Sequence, residues 1–150
     1  LNPNSVQGDR TVKEALILLK THCNISAADI PDLVPILAVV AGSKQGACFT
    51  DIGRLRLKES DRVATVSNML SALGAEVYAD ENTLTIHPTA YHSCVIDAAG
   101  DHRIAVAAAM AATIADGPVT IMGAECVNKS YPGFWDAYKK LGGNYEQHIR

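Results

Sequence analysis

Val63, Val66, Leu70 and Leu73 recur at three- and four-residue spacing behind Ser60 and Asp61, and Gly74 follows, which predicts an amphipathic helix with its own start and stop signals. Residues 76–78 and 83–87 then alternate apolar and polar positions across the turn Ala79-Asp80-Glu81-Asn82, the pattern of a β-hairpin with a four-residue loop. Asp101 is placed to cap an alanine-rich helix running to Gly117, where Pro118 forbids continuation, and "VTIM" at 119–122 predicts a buried strand. Nearer the start, Val12, Ala15, Leu16 and Leu19 share one helical face within residues 11–20, preceded by the turn-rich "LNPNSVQGDR".

The same order of elements occurs twice. "AADIPDLVPILAVVAGSKQGACFTDI" repeats the helix, glycine and strand of "AAGDHRIAVAAAMAATIADGPVTIMG" at a fixed offset of 71, pairing Ala27 with Ala98, Gly46 with Gly117 and Lys58 with Lys129 without a gap. The expected architecture is a single α/β (α+β) domain over 1–150: a partial copy at about 1–26, one copy at about 27–97 and another at about 98–150. No stretch is low-complexity or linker-like.

Composition narrows the function. A chain of 150 residues that is 48% hydrophobic can bury a core of its own. A net charge of −3 and a pI of 5.9 give no footprint for a nucleic-acid backbone, so any anion site must be local. The longest apolar run, Ile104 to Ala115, is too short to span a bilayer. Cys23, Cys48, Cys94 and Cys126 include no close pair of the kind that grips a metal or works as a redox couple, and are expected to be reduced core thiols of a cytoplasmic protein. A first residue Leu1, with no signal-like segment, suggests a piece of something longer.

Charge is concentrated in "RLRLKESDR", residues 54–62. If extended, it sets Arg54, Arg56 and Lys58 on one face and Leu55 and Leu57 on the other. Arg62 and Arg103 both fall in a first helical turn, where a cation opposes the helix dipole, so each needs an anion nearby. The offset of 71 maps Asp32 onto Arg103 and Lys58 onto Lys129, gathering charge at equivalent corners that open helices, where unpaired N–H groups also favour anions. In "VNKSYP" Pro132 stands where the first turn of the next helix should begin. Asp32, in "DIPDLVPIL", also suits an N-cap, and His102 an ordinary first-turn residue. His22, His87, His92 and His148 show no mutual spacing for metal or catalysis.

"IPDLVPILAV", "KESDR" with "LGAE" after its helix, "GDHR" opening an alanine-rich helix, and "NKSYPGFW" occur in one order over about residues 28–142. Together they resemble the C-terminal part of the EPSP synthase (3-phosphoshikimate 1-carboxyvinyltransferase) family. The resemblance implies one domain of the two-domain enolpyruvyl transferase fold, built of βαβαββ units with the active site between the domains. It implies enolpyruvyl transfer from phosphoenolpyruvate to the 5-hydroxyl of shikimate 3-phosphate, with no metal and no organic cofactor. Carried over by motif, Asp32 and Glu59 are the acid/base groups at the sugar hydroxyl and the methylene carbon. Lys58 binds the shikimate phosphate, while Arg62, Arg103 and Lys129 bind phosphoenolpyruvate, with His102 beside Arg103 as a further substrate-binding candidate. The family's longer segment between "QGDR" and "IPDL", and its N-terminal phosphate-binding segments, have no counterpart here. The N-terminal part of the same enzyme is therefore the expected partner. Two alternatives are a UDP-sugar enolpyruvyl transferase of the same fold and a non-catalytic unit that binds anions weakly.

Overall fold

The computed structural model describes residues 8–148; the first seven residues of the turn-rich opening and of the partial copy lie outside them. Along the chain come a 3-10 turn (Gly8–Thr11), α1 (Val12–Leu18), β1 (Cys23–Ser26), α2 (Val34–Gly42), β2 (Ala47–Thr50) and a second 3-10 turn (Ile52–Leu57). They are followed by α3 (Arg62–Ala72), β3 (Val77–Ala79), β4 (Thr83–Ile86), β5 (Cys94–Asp97), α4 (His102–Ala112), β6 (Val119–Met122), a third 3-10 turn (Ala124–Lys129) and α5 (Phe134–Lys140).

Local chemistry sets the helix ends as expected. The Asp61 carboxylate accepts from the N–H groups of Val63 and Ala64 to start α3, and Gly74, at φ 101°, reverses the chain after it. Asp101 accepts from Arg103 N to start α4. α2 is buried nearly all round, which makes it the centre of the core, and it packs chiefly on the alanine-rich side of α4. The Tyr91 hydroxyl donates to Val39 O at 2.6 Å, and a Cβ on Gly42 would lie 2.3 Å from that hydroxyl, so α2 accommodates the ring only with glycine there. Tyr91→Phe should cost about 1 kcal/mol, the net worth of one buried hydrogen bond, read as a lower urea midpoint at unchanged slope.

One sheet has the order β1-β2-β4-β3, with β1 parallel to β2 and the β3–β4 hairpin added antiparallel to it. The other is the parallel pair β5–β6; among the described residues no strand pairs with the outer edge of β6. Each parallel pair encloses one core helix and leads into a 3-10 turn through a left-handed residue, Asp51 at φ 58° and Gly123 at φ 72°. The ladders correct the gap-free offset. Cys23 pairs with Ala47 and Cys94 with Val119, so the first strands stand 71 apart but the second strands 72. One extra residue lies between the two strands of the later unit, and the 3-10 turns follow the larger offset. Lys129 is thereby equivalent to Leu57, not Lys58.

Other expectations change as well. Residues 52–57 are not extended: the 3-10 period of three buries Ile52 and Leu55 and leaves Leu57 84% exposed. Asp32 is not the cap of α2, since Leu33 holds that position and Asp32 lies in the turn before it. α4 stops at Ala112, five residues before Gly117, where the chain turns so that Asp116 N can donate to Tyr91 O. α5 begins at Phe134, after Pro132, and β6 alternates half-buried and exposed residues. On α1 Ala15 and Leu19 are buried but Leu16 is exposed. Only residues 19–22 join α1 to β1, whereas residues 73–93, which hold a hairpin, join α3 to β5.

Candidate active site

The amino-terminal ends of α2, α3 and α4 converge, and each brings charge. Asp32 lies in the turn before α2, Lys58 and Glu59 close the second 3-10 turn, Arg62 opens α3, and Asp101, His102 and Arg103 open α4. Arg62 is the hub. Its Nε donates to Asp101 Oδ2 at 2.7 Å and one terminal nitrogen donates to Asp32 Oδ1 at 2.6 Å. The other donates to Glu59 Oε2 at 2.5 Å and to Asp101 Oδ1 at 3.2 Å. Four of the five guanidinium N–H groups are thus engaged, and the side chain is 1% exposed.

Asp32 gathers cations in return. Lys58 Nζ lies 3.0 Å from its Oδ1, and Arg103 donates to its Oδ2 and its backbone oxygen, both at 3.3 Å. His102 Nδ1 stands 3.7 Å from Glu59 Oε1. Asp32, Lys58, Glu59, Arg62, His102 and Arg103 therefore form one cluster. Lys129 is exposed at the end of the third 3-10 turn, and its side chain makes no hydrogen bond or ion pair among the described residues.

The cluster supplies its own counter-ions. Lys58, Arg62 and Arg103 balance Asp32, Glu59 and Asp101, so the dipole argument for first-turn arginines is answered first by the protein's carboxylates. Burial alone would raise the carboxyls of Asp32 and Asp101. For Asp32 the hydrogen bonds from Lys58 and Arg62, with the charge of Arg103, outweigh it and hold the pKa below its ordinary value. For Asp101 the hydrogen bond from Arg62, Arg103 N, the Arg62 charge and the Ser60 hydroxyl do the same. Burial works against the Arg62 cation, but Asp101, Asp32 and Glu59 raise its pKa. Lys58 and Arg103 remain partly open to solvent, whereas the Arg62 side chain is buried, with one N–H outside these hydrogen bonds.

Sequence reasoning missed the second role of Asp101 and the hydroxyl of Ser60, which donates to Asp101 Oδ2 at 3.0 Å. The available signal was the same first-turn arginine: a buried cation at a helix start calls for a buried carboxylate, and the cap of α4 is one. The remaining titratable groups lie elsewhere. His92 pairs with Asp116 at 2.6 Å on the surface. Cys23, Cys48 and Cys94 are half-buried, Cys126 is buried, and none is bonded to another. Among the described residues no group of three metal-ligating side chains comes together, and no helix is long and apolar enough to cross a membrane.

Known proteins match both sequence and fold. The family model for EPSP synthase (3-phosphoshikimate 1-carboxyvinyltransferase) matches residues 5–138. A 3-phosphoshikimate 1-carboxyvinyltransferase of Methanospirillum hungatei is 36% identical over 165 residues, covering 96% of this chain and 38% of its own length. One from Clostridium acetobutylicum is 39% identical over 164 residues, covering 98% of this chain and again 38% of its own length. The chain thus spans under two-fifths of these relatives, and the aligned lengths exceed its 150 residues, so the relatives carry residues that it lacks. The solved EPSP synthase of Acinetobacter baumannii superposes with a TM-score of 0.71 at 27% identity, over 81% of this chain and 31% of its own. With its helix-start charge cluster on a matching fold and its sequence matched nearly end to end, the chain belongs to the EPSP synthase family.

Proposed function

We propose that the protein to which this chain contributes transfers the enolpyruvyl group of phosphoenolpyruvate to the 5-hydroxyl of shikimate 3-phosphate and releases phosphate. The observation that carries the reading is the guanidinium of Arg62, which holds Asp32 on one nitrogen and Glu59 on the other, with Lys58 and Arg103 alongside. Addition and elimination at an enol ether need two proton carriers set apart by the width of the reacting carbons, with cations for a phosphate and a carboxylate around them.

In this reading Glu59 donates a proton to the methylene carbon of phosphoenolpyruvate, leaving oxocarbenium character at the adjacent carbon. The sugar hydroxyl adds there while Asp32 takes its proton. The phosphate then departs with the C–O bonding pair, and the base withdraws a proton from the new methyl group, restoring the double bond. Lys58 receives the phosphate of shikimate 3-phosphate, and Arg103 receives the anionic groups of phosphoenolpyruvate. Arg62 contributes one free N–H and its charge. His102 borders Glu59 and bears on the same proton. Lys129, exposed at the end of the third 3-10 turn, serves the phosphate of phosphoenolpyruvate. The remaining part of the protein supplies the opposite wall of the cleft.

Phosphate release from the two substrates, followed for this chain with the rest of the enzyme supplied as a second polypeptide, tests the proposal. Turnover by the pair and none by the chain alone is expected, because positioning and water exclusion both need the opposite wall. A pair that associates but never releases phosphate refutes the activity. Within an active pair, Glu59→Gln should abolish entry of solvent deuterium into the product methylene group while leaving substrate affinity within a few-fold. Unchanged exchange removes Glu59 from the proton path.

A further inference from the structure

We infer that Asp101 is a positioning residue of this site: its buried carboxylate locks the Arg62 guanidinium to the amino end of α4 and so fixes where Asp32, Glu59 and Arg103 stand. The inference builds on the proposed reaction, but its geometry is independent of it. Asp101 is 0% exposed and both of its oxygens are filled. Oδ1 accepts from Arg103 N at 2.9 Å and from a terminal nitrogen of Arg62 at 3.2 Å. Oδ2 accepts from Arg62 Nε at 2.7 Å and from the Ser60 hydroxyl at 3.0 Å.

Capping alone does not account for this residue. One oxygen suffices to start a helix, and asparagine or serine serves as well as aspartate. A fully buried carboxylate is costly unless a cation meets it, and capping brings none. The other cap, Asp61, shows the contrast: its second oxygen faces the half-exposed Arg56 at 3.3 Å. At Asp101 the partner is a buried arginine gripped side-on through Nε and one terminal nitrogen, which sets the plane of the guanidinium. That plane aims the remaining N–H groups at Asp32 and Glu59. The same carboxylate holds the peptide N–H of Arg103, and through Ser60 it holds the residue next to Glu59. Among the described residues it pairs with neither the Lys58 ammonium nor the Arg103 guanidinium, and it reaches the reacting groups only through others.

Asp101→Asn isolates the charge, because asparagine keeps the cap and the shape. In the full chain, two-dimensional NMR should show the amide resonances of α4 in place while the Arg62 Nε–H exchanges with solvent at least tenfold faster. The carboxyl titration of Asp32 should move, and kcat of the chain joined by the rest of the enzyme should fall at least tenfold. An Arg62 Nε–H as protected as in the parent, with the Asp32 titration unmoved, makes Asp101 a cap and overturns the proposal. So does a displaced Arg62 with undiminished kcat. If Asp101→Asn fails to fold, Ser60→Ala, which deletes one hydrogen bond to Oδ2, decides in the same way: Arg62 Nε–H exchange at least threefold faster supports the proposal, and unchanged exchange refutes it. Absence of turnover in the unmodified pair, with the NMR results as expected, would remove the reaction and leave the charge lock standing.

Discussion

Arg62→Ala should destabilise the chain by about 3 to 5 kcal/mol, the cost of stripping one partner from a buried ion pair and leaving the other charge stranded. The stranded charge is Asp101, which keeps Ser60 and Arg103 N but loses the cation it pairs with among the described residues. A surface pair would give no such effect; the depth of both partners decides the magnitude. The double variant Arg62→Ala with Asp101→Asn should recover part of the loss, because a neutral amide needs no counter-charge and still caps α4. Strict additivity of the two single losses in urea unfolding would show that the pair is not coupled.

The pH dependence provides a second test of that lock. In the parent the folded-state pKa values of Asp32 and Asp101 lie below their ordinary values. They stabilise the fold above the unfolded carboxylate pKa near 3.9, and that contribution is lost as pH falls through the lower folded values. Without Arg62, the Ser60 hydroxyl and Arg103 N remain, but the desolvation of Asp101 loses its main opponent and the pKa should move above the unfolded value. Protonation then favours the fold, so the variant loses stability as pH rises through the raised pKa. The stability gap between parent and Arg62→Ala should therefore narrow on going from neutral pH toward pH 4. A gap that is constant with pH would place its origin in lost packing.

What the chain announces locally is what could be read from it. Asp61, Asp101 and Gly74 mark helix ends within a turn of themselves, and the hairpin of β3 and β4 carries its period and its loop together. The misread features depend on partners far along the chain. Asp32 precedes a helix and fits a cap by spacing, yet Lys58, Arg62 and Arg103 draw it into the cluster from 26, 30 and 71 positions away. Asp101 was legible as a cap, but Arg62, 39 positions before it, was not legible as its counter-ion. Leu55 and Leu57 alternate as a strand would, and only the left-handed turn at Asp51 commits the segment to a 3-10 period that buries one and exposes the other. The single extra residue between β5 and β6 leaves no compositional mark; only the strand ladders reveal it.

The charge balance of the cluster carries the remaining expectation, for Asp32→Asn, in which binding and turnover should move in opposite directions. In the free chain the Asp32 carboxylate is the anion that Lys58 and Arg103 hold, at 3.0 and 3.3 Å. An incoming phosphate or carboxylate must take those cations from it. Asparagine keeps the shape and two hydrogen-bonding atoms but withdraws the charge, leaving three cations against Glu59 and Asp101. Inorganic phosphate should then bind the chain at least tenfold more tightly, about 1.4 kcal/mol, with a steeper dependence on salt. Turnover by the joined enzyme should fall by about 10²- to 10⁴-fold, since the group proposed to take the hydroxyl proton is gone. Loss of folding would weaken both, and a carboxylate that merely anchors the cations would weaken phosphate binding when removed. Calorimetric titration of phosphate into parent and variant at two salt concentrations separates these outcomes: tighter binding identifies Asp32 as the occupant that substrate displaces, and weaker binding identifies it as the post on which Lys58 and Arg103 are held.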